Sequence, residues 1–422
     1  MALLIIEGQN PLYGETIIHG AKNSALPILS ASVLMKGETV LKSCPRLSDT
    51  ESAVKILRHI GFRCLRQCSQ SDKSILVISG APNKCDIPHH LMRRLRSSVI
   101  FLGALLGRTG EAKLSFPGGC EIGARPIDLH LQALRRLGVE ITERHGELIC
   151  KAPKGIIGDY ISLAFPSVGA TENIMLASAI SKGTTVIENA AREPEIIDLA
   201  NFLNAAGAKI SGQGESTLII EGVQSLYGCE HRIMPDRIVA ATYLACCAAA
   251  GGEIVLKNSP NQYILHILSI FEDAGCQITI YKNSIFIKAP KRPLSPMAVR
   301  TMPYPGFPTD AQPQLMAMAT VSKGTTVFVE TIFENRYKHI PELVRLGAKI
   351  RSEGRVAVVE GVEKLSGAFV KAPDLRAGAA LVTAGLAASG TTTISGVEFI
   401  DRGYESIERD IAMLGGKIKR IN

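Results

Sequence analysis

Tryptophan is absent from the 422 residues, and aromatic residues make up only 5% of them. The core must therefore be filled by aliphatic side chains and alanine. Basic stretches interleaved with aromatics, the usual mark of a nucleic-acid binder, do not occur. The excess of 47 Lys+Arg over 39 Asp+Glu is mild and spread along the chain. Its densest cluster is Arg93, Arg94 and Arg96, so anionic small molecules are the expected partners and nucleic acid is not. The ten Cys and nine His form no C-x-x-C and no H-x-x-x-H, which removes the common zinc patterns, and no metal is expected. Also missing are G-x-x-x-x-G-K-[ST], G-x-G-x-x-G after a strand, G-x-S-x-G and H-E-x-x-H. Their absence weakens ATPase, Rossmann dehydrogenase, α/β-hydrolase and zinc-protease readings. The longest uncharged runs, 238–252 and 377–397, are short or studded with Thr, Ser and Gly, so membrane insertion is not expected. The first residues reach Glu7 without a cationic region, unlike a signal peptide. Scattered cysteines in a chain of this size read as reduced thiols, and a cytoplasmic location is expected.

What the chain does have is a repeat. A Gly turn followed by a β-branched run recurs at Gly37, Gly110, Gly183, Gly252, Gly324 and Gly390, most plainly as Lys182-Gly183-Thr-Thr-Val and Lys323-Gly324-Thr-Thr-Val. An apolar-periodic segment ending in Gly and a strand-like run alternates with it, at Gly61, Gly138, Gly207, Gly275, Gly347 and Gly415. The first set of glycines supplies turns before strands, and the second sits where helices end. The spacing predicts helices over 51–60, 128–137 and 197–206. Six mixed units of about 70 residues partition naturally into two domains of three. The predicted cut falls near Gly228, and the leading strands, 3–7 and 16–19, are open to either domain.

The most unusual stretch is Phe116-Pro-Gly-Gly-Cys120-Glu-Ile-Gly-Ala-Arg125-Pro126-Ile127-Asp128-Leu129-His130. Three glycines and two prolines around one cysteine predict an exposed loop, where chemistry concentrates. Arg125 stands five residues from the thiol, and a nearby guanidinium favours the thiolate, so Cys120 is a candidate nucleophile or proton donor. The alternative is a Gly-rich turn with an incidental Cys. Lys22-Asn23 opens a mostly apolar run, as a helix mouth able to hold an anion would, or as an ordinary first-turn polar pair. Arg96, Arg125, Arg336, Arg376 and Arg402 each follow a strand or precede a helix in their own unit. Arg376 beside Asp374 reads as a salt bridge, whereas Arg402 before Gly403 reads as a clamp for carboxylate or phosphate. Asp310, after the Pro-rich run 303–308, is either a helix N-cap or a general base facing a cleft.

Taken together, these residues resemble the UDP-N-acetylglucosamine 1-carboxyvinyltransferases. The resemblance runs from His19-Gly-Ala-Lys22-Asn23 to Asp401-Arg402-Gly-Tyr-Glu405, through Pro117-Gly-Gly-Cys120, Glu188-Asn-Ala-Ala-Arg-Glu-Pro-Glu195, Phe307-Pro-Thr-Asp310 and Phe333-Glu-Asn-Arg336. It implies two similar inside-out α/β domains, each a threefold array of βαβαββ units. Residues 20–228 would form one, residues 1–19 plus 229–422 the other, and the active site would lie in the interdomain cleft. It implies transfer of the enolpyruvyl group of phosphoenolpyruvate to the 3′-hydroxyl of UDP-N-acetylglucosamine with release of phosphate, a committed step of peptidoglycan synthesis, with no cofactor. Cys120 would protonate the substrate methylene carbon and can form a covalent adduct, and Asp310 would take the proton of the sugar hydroxyl. Lys22, Arg125 and Arg402 would hold phosphoenolpyruvate, with Asn23, Arg96, Arg336, Asp374 and Arg376 around it. Arg125, Pro126, Ile127, Asp128, Leu129, Ser167, Val168, Gly169, Asp310 and Ile332 would line the nucleotide-sugar site. Phe165 stands where some members carry a lysine, and Val239 where some carry an acid. Retention of Cys120 implies inhibition by fosfomycin. Three other readings are weighed: a 5-enolpyruvylshikimate-3-phosphate synthase, a non-catalytic nucleotide-sugar-binding paralogue, and an RNA 3′-terminal phosphate cyclase. The last lacks an evident adenylating histidine.

Overall fold

A computed structural model describes residues 2–69, 72, 74–93, 95–115 and 127–421, and for Arg96 the backbone only. Cys120, Arg125 and Pro126 lie outside the described residues. The chain divides into two units: described residues between 20 and 234 form one, and Met1–His19 with Pro235–Asn422 form the other. The described strands make three four-stranded sheets in each unit, all built to one rule. An edge strand runs parallel to a second, which pairs antiparallel with a third, which pairs antiparallel with the outer fourth. Tyr160–Ser162, Thr184–Glu188, Thr217–Glu221 and Lys209–Ser211 lie in that order across one sheet. Ala298–Arg300, Thr325–Val329, Val356–Glu360 and Lys349–Glu353 repeat the arrangement in the other unit.

The sheets follow from the sequence pattern. In the Gly-Thr-Thr strands alternate residues turn inward, so Thr185 and Ile187, Thr326 and Phe328, and Thr392 and Ile394 are all fully buried. That is the two-residue period of a sheet with one wet face. All twelve repeat glycines have positive φ, from 73° at Gly110 to 120° at Gly324. A Cβ would strain each of these turns and helix ends, which is why the repeat is written in glycine.

Each unit buries three of its helices almost completely: Lys22–Ala31, Phe101–Thr109 and Val168–Ser178 in one, Arg237–Ala250, Gln312–Ala319 and Leu375–Ala387 in the other. They are rich in Ala and Gly because they pack backbone to backbone. A Cβ on Gly103 would sit 2.3 Å from the carbonyl oxygen of Asn173. A helix buried on all sides has no polar face, so its sequence shows little amphipathicity. Within each unit the three run parallel. Gly103 and Gly107 lie against Asn173 and Leu176 in order. Ala249, Val321 and Ala387, at three C-terminal ends, line one opening of about 650 Å³. There Arg292 donates to the carbonyl oxygens of Val321, Ser322 and Val362.

The helices predicted from the repeat lie at Ser48–His59, Asp128–Arg136 and Pro194–Ala205, each close to its predicted span, and in the other unit Leu265–Asp273, Ile340–Arg345 and Ile407–Met413 alternate with the strands in the same way. The division between units falls after Met234, six residues beyond Gly228. The reason is pairing: Glu230–Arg232 completes the first sheet as the parallel edge beside Thr39–Lys42. Both leading strands join the other unit. Leu12–Ile17 runs parallel to Gly252–Lys257, and Leu3–Glu7 inserts between Thr391–Ser395 and Lys417–Ile421. Among the described residues no helix is long and apolar enough to cross a membrane.

Candidate active site

Most of the nominated residues share one address, the N-terminal end of a buried helix. Lys22 and Asn23 open Lys22–Ala31. Arg96 begins the 3₁₀ turn Arg96–Ile100, which runs directly into Phe101–Thr109. Ser167 caps Val168–Ser178, its hydroxyl accepting from the backbone N–H of Ala170. In the other unit Asp310 lies in the turn Thr309–Ala311 ahead of Gln312–Ala319, and Asp374 caps Leu375–Ala387. Parallel helices align their dipoles, so within each unit three partly positive ends gather on one side. Unsatisfied backbone N–H groups there make a ready anion site.

In the unit of residues 20–234, the Lys22 ammonium lies 2.7 Å from the buried carboxylate of Asp49, in the first turn of Ser48–His59. Next to Asn23, the Ser24 hydroxyl donates to Asp198, which also accepts from His231 at 3.0 Å and from the backbone N–H of Met234 at 3.2 Å. Asp198 thus ties the helix mouth to the strand that closes the unit. Ile127 is buried, Asp128 is exposed at the start of its helix, and Leu129 packs against the core. Glu172 is buried beside Glu195 and Glu193, and burial first, then those two acids, push its carboxyl well above the usual range.

In the other unit Asp310 is clamped. Arg336 donates to one carboxylate oxygen at 3.1 Å and to the carbonyl of Thr309 at 2.9 Å, while Arg376 donates to the second oxygen at 3.0 and 3.2 Å. Both arginines are buried, with side chains 2% and 3% exposed, and Asp310 is 28% exposed. Burial opposes the charge of Arg376, but Asp310, Tyr404 and Asp236 outweigh it and hold the guanidinium protonated. The Tyr404 hydroxyl lies beside Arg376 and 2.7 Å from the Thr242 hydroxyl. Glu330, also buried, accepts from the N–H groups of Ile332 and Phe333 with one oxygen and from the Thr309 hydroxyl with the other. It joins the loop carrying Ile332 and Arg336 to the turn carrying Asp310. Arg402 follows the helix Val397–Ile400, two residues before Tyr404.

Two sequence readings change here. Asp310 makes no helix cap. Arg376 does not pair with its neighbour Asp374; that acid accepts from the backbone N–H groups of Arg376 and Ala377, and the guanidinium reaches Asp310 instead. A carboxylate at an N-cap satisfies two orphan donors, which leaves the arginine for a partner 66 positions away. Asp310, Arg336 and Arg376 are brought into direct contact, and Ile332 is joined to them through Glu330. Sequence reasoning missed Asp49, Asp198, Glu330 and Tyr404. Only Tyr404 carried a signal, its place inside Arg402-Gly-Tyr-Glu405.

The model of the family described as EPSP synthase (3-phosphoshikimate 1-carboxyvinyltransferase) matches residues 6–411. A relative in Caldanaerobacter subterraneus subsp. tengcongensis named UDP-N-acetylglucosamine 1-carboxyvinyltransferase 2 is 50% identical over 416 residues, 99% of each chain. A UDP-N-acetylglucosamine 1-carboxyvinyltransferase of Finegoldia magna is 45% identical over 424 residues, covering 100% of this chain and 99% of its own. Among solved structures, the enolpyruvyl transferase NikO from Streptomyces tendae superimposes with a TM-score of 0.88 at 25% identity, over 99% of this chain and 98% of its own. An EPSP synthase from Acinetobacter baumannii shares the fold, with a TM-score of 0.77 at 17% identity over all of both chains. The repeated four-strand sheets, the residues gathered at helix mouths and these full-length matches place the chain in the UDP-N-acetylglucosamine 1-carboxyvinyltransferase family, within the enolpyruvyl transferase fold.

Proposed function

We propose that the protein transfers the enolpyruvyl group of phosphoenolpyruvate to the 3′-hydroxyl of UDP-N-acetylglucosamine, a cytoplasmic step toward peptidoglycan. The observation that carries this reading is the carboxylate of Asp310 held between Arg336 and Arg376 at a helix mouth. Oδ1 of Asp310 accepts from Arg336 and Oδ2 from two N–H groups of Arg376, and this carboxylate takes the proton of the sugar hydroxyl. As that proton leaves, the hydroxyl oxygen bonds to C2 of phosphoenolpyruvate while the Cys120 thiol protonates C3. The tetrahedral adduct then loses a proton from C3 and expels inorganic phosphate from C2, which restores the double bond. Lys22, Arg125 and Arg402 supply counter-charge to a compact polyanion. Arg96 lies near that anion, Asp374 keeps its helix mouth in place, and residues 125–129, 167–169 and Ile332 receive the nucleotide sugar. A positioned acid contributes about 10²–10⁴-fold to such a step.

Identity of 44–50% to enzymes bearing that activity in their names supports the acceptor. The nine described cysteines are all free thiols, which suits a reducing compartment. The test incubates the protein with phosphoenolpyruvate and either UDP-N-acetylglucosamine or shikimate-3-phosphate and measures phosphate. Release with the nucleotide sugar alone is expected. Release with shikimate-3-phosphate alone, or binding of the nucleotide sugar without turnover, refutes the reading. Fosfomycin should label the wild type at Cys120 and leave Cys120→Ser unlabelled.

A further inference from the structure

A buried polar link lies under the Ser167–Gly169 turn that neither the repeat nor the proposed chemistry uses. His130, in the first turn of Asp128–Arg136, is 7% exposed, and Asn173, on Val168–Ser178, is fully buried. Asn173 Oδ1 accepts from the backbone N–H of Gly103 at 2.6 Å. Its Nδ2 lies 3.1 Å from the carbonyl oxygen of Val99 and 2.7 Å from Nδ1 of His130. The two backbone contacts decide which end of the amide is nitrogen, because a backbone N–H needs an acceptor and a carbonyl needs a donor. Nδ2 therefore donates to His130, Nδ1 carries the lone pair, and the ring proton sits on Nε2. Burial holds the imidazole near a pKa of about 4, so it stays neutral at working pH.

The other edge of the ring lies against Gly169. A Cβ there would come 2.9 Å from Cε1 and 3.2 Å from Nε2 of His130. No acceptor for the Nε2 hydrogen is found among the described residues. One amide thus joins the turn that begins at Arg96, the helix that begins at Asp128 and the helix that begins at Val168. Two of these segments carry Asp128, Leu129, Val168 and Gly169, all nominated for the nucleotide sugar.

We propose that Asn173 is a positioning residue for the nucleotide sugar: it holds His130 with its proton on Nε2 beside Gly169, so that this N–H donates to an acceptor oxygen of the bound nucleotide. The proposal rests on the acceptor assigned above and deepens it. It also assigns a reason to Gly169, since any side chain there would displace the ring.

The test uses the full-length protein carrying ¹⁵N-histidine. In the wild type, the His130 signals, identified by their loss in His130→Phe, should show the proton on Nε2 with no titration between pH 5.5 and 8.5. Asn173→Asp keeps the acceptor for Gly103 but removes the donor. His130 should then carry its proton on Nδ1 or titrate within that window. Calorimetric affinity for UDP-N-acetylglucosamine should fall roughly 10- to 100-fold, the span of one lost or unsatisfied hydrogen bond. The KM for phosphoenolpyruvate should change by less than about threefold. If Asn173→Asp does not fold, His130→Phe carries the binding test and should show the same loss without pH dependence. A wild-type proton on Nδ1, or wild-type affinity in His130→Phe, overturns the proposal. Wild-type protein that binds no UDP-N-acetylglucosamine but shows the Nε2 proton sinks the assigned acceptor, and with it the ligand role of His130.

Discussion

Removing the Asp310 carboxylate should cost the protein stability as well as turnover. In Asp310→Ala two guanidiniums whose side chains are 2% and 3% exposed lose their shared counter-ion. Breaking a buried pair by deleting one partner costs about 3–5 kcal/mol. Asp310 itself is 28% exposed, so solvent screens part of that, and about 3 kcal/mol is the better figure. Arg336 keeps its bonds to the carbonyl of Thr309, which limits the loss further. For a unit of about 200 residues, each kcal/mol moves the midpoint about 2–4 °C, so the transition of this unit should fall by roughly 6–12 °C. Scanning calorimetry reads that shift, and phosphate release should be lost at the same time. The sharper test is Asp310→Ala combined with Arg376→Met. Deleting the stranded cation should return part of the loss, so the double variant should be more stable than the sum of the single changes by about 1–3 kcal/mol. Strictly additive losses, or an Asp310→Ala protein that melts with the wild type, would refute the clamp as a stabilising unit.

Three further outcomes follow from other contacts. Tyr404→Phe removes the hydroxyl that bonds Thr242 and favours the charge of Arg376, and should lower kcat about 5- to 50-fold with KM values near wild type, read by steady-state phosphate release. Glu172 binds its proton more tightly folded than unfolded, so the wild type loses stability as pH rises above the ordinary carboxyl value of 4.5. Urea midpoints of Glu172→Gln relative to wild type should therefore improve as pH rises above 4.5, and a difference that stays constant through that rise would count against it. Gly103→Ala places a methyl 2.3 Å from the Asn173 carbonyl oxygen and should lower the unfolding free energy from urea titration by about 1–3 kcal/mol, far more than Gly183→Ala, whose Cβ meets nothing within 4 Å and whose cost is the positive φ of 83° alone.

The repeat was legible because its markers are backbone markers. Gly37 and Gly61 and their copies occupy conformations that disfavour a side chain, and that constraint survives in a single sequence. The helices Ser48–His59 and Asp128–Arg136 were legible because one face of each meets water. The buried helices were harder to place, since Arg237–Ala250 or Leu375–Ala387 shows no amphipathic period. Family resemblance nominated Asp310 and Arg376, but not that they touch, because 66 residues and a whole repeat separate them. Asp374 misled because proximity along the chain suggested a pair where the helix end had the stronger claim. Asp49, Glu330 and Asp198 carried no mark at all: a lone acid in a first turn or after a strand looks the same whether it faces water or supports a binding residue.

The insertion of Leu3–Glu7 between two strands from the far end of the chain has a consequence for biosynthesis. Leu3–Glu7 must wait for Lys417–Ile421, about 410 residues further along the chain, before it has both neighbours. At about 5–20 residues per second that delay is on the order of half a minute. The intervening unit, by contrast, has every strand it needs once Arg232 has left the ribosome. An aliphatic segment left unpaired for that long is where chaperones would bind the nascent chain. A circular permutant that joins residue 2 to residue 421 and opens the chain at a surface loop would abolish the wait.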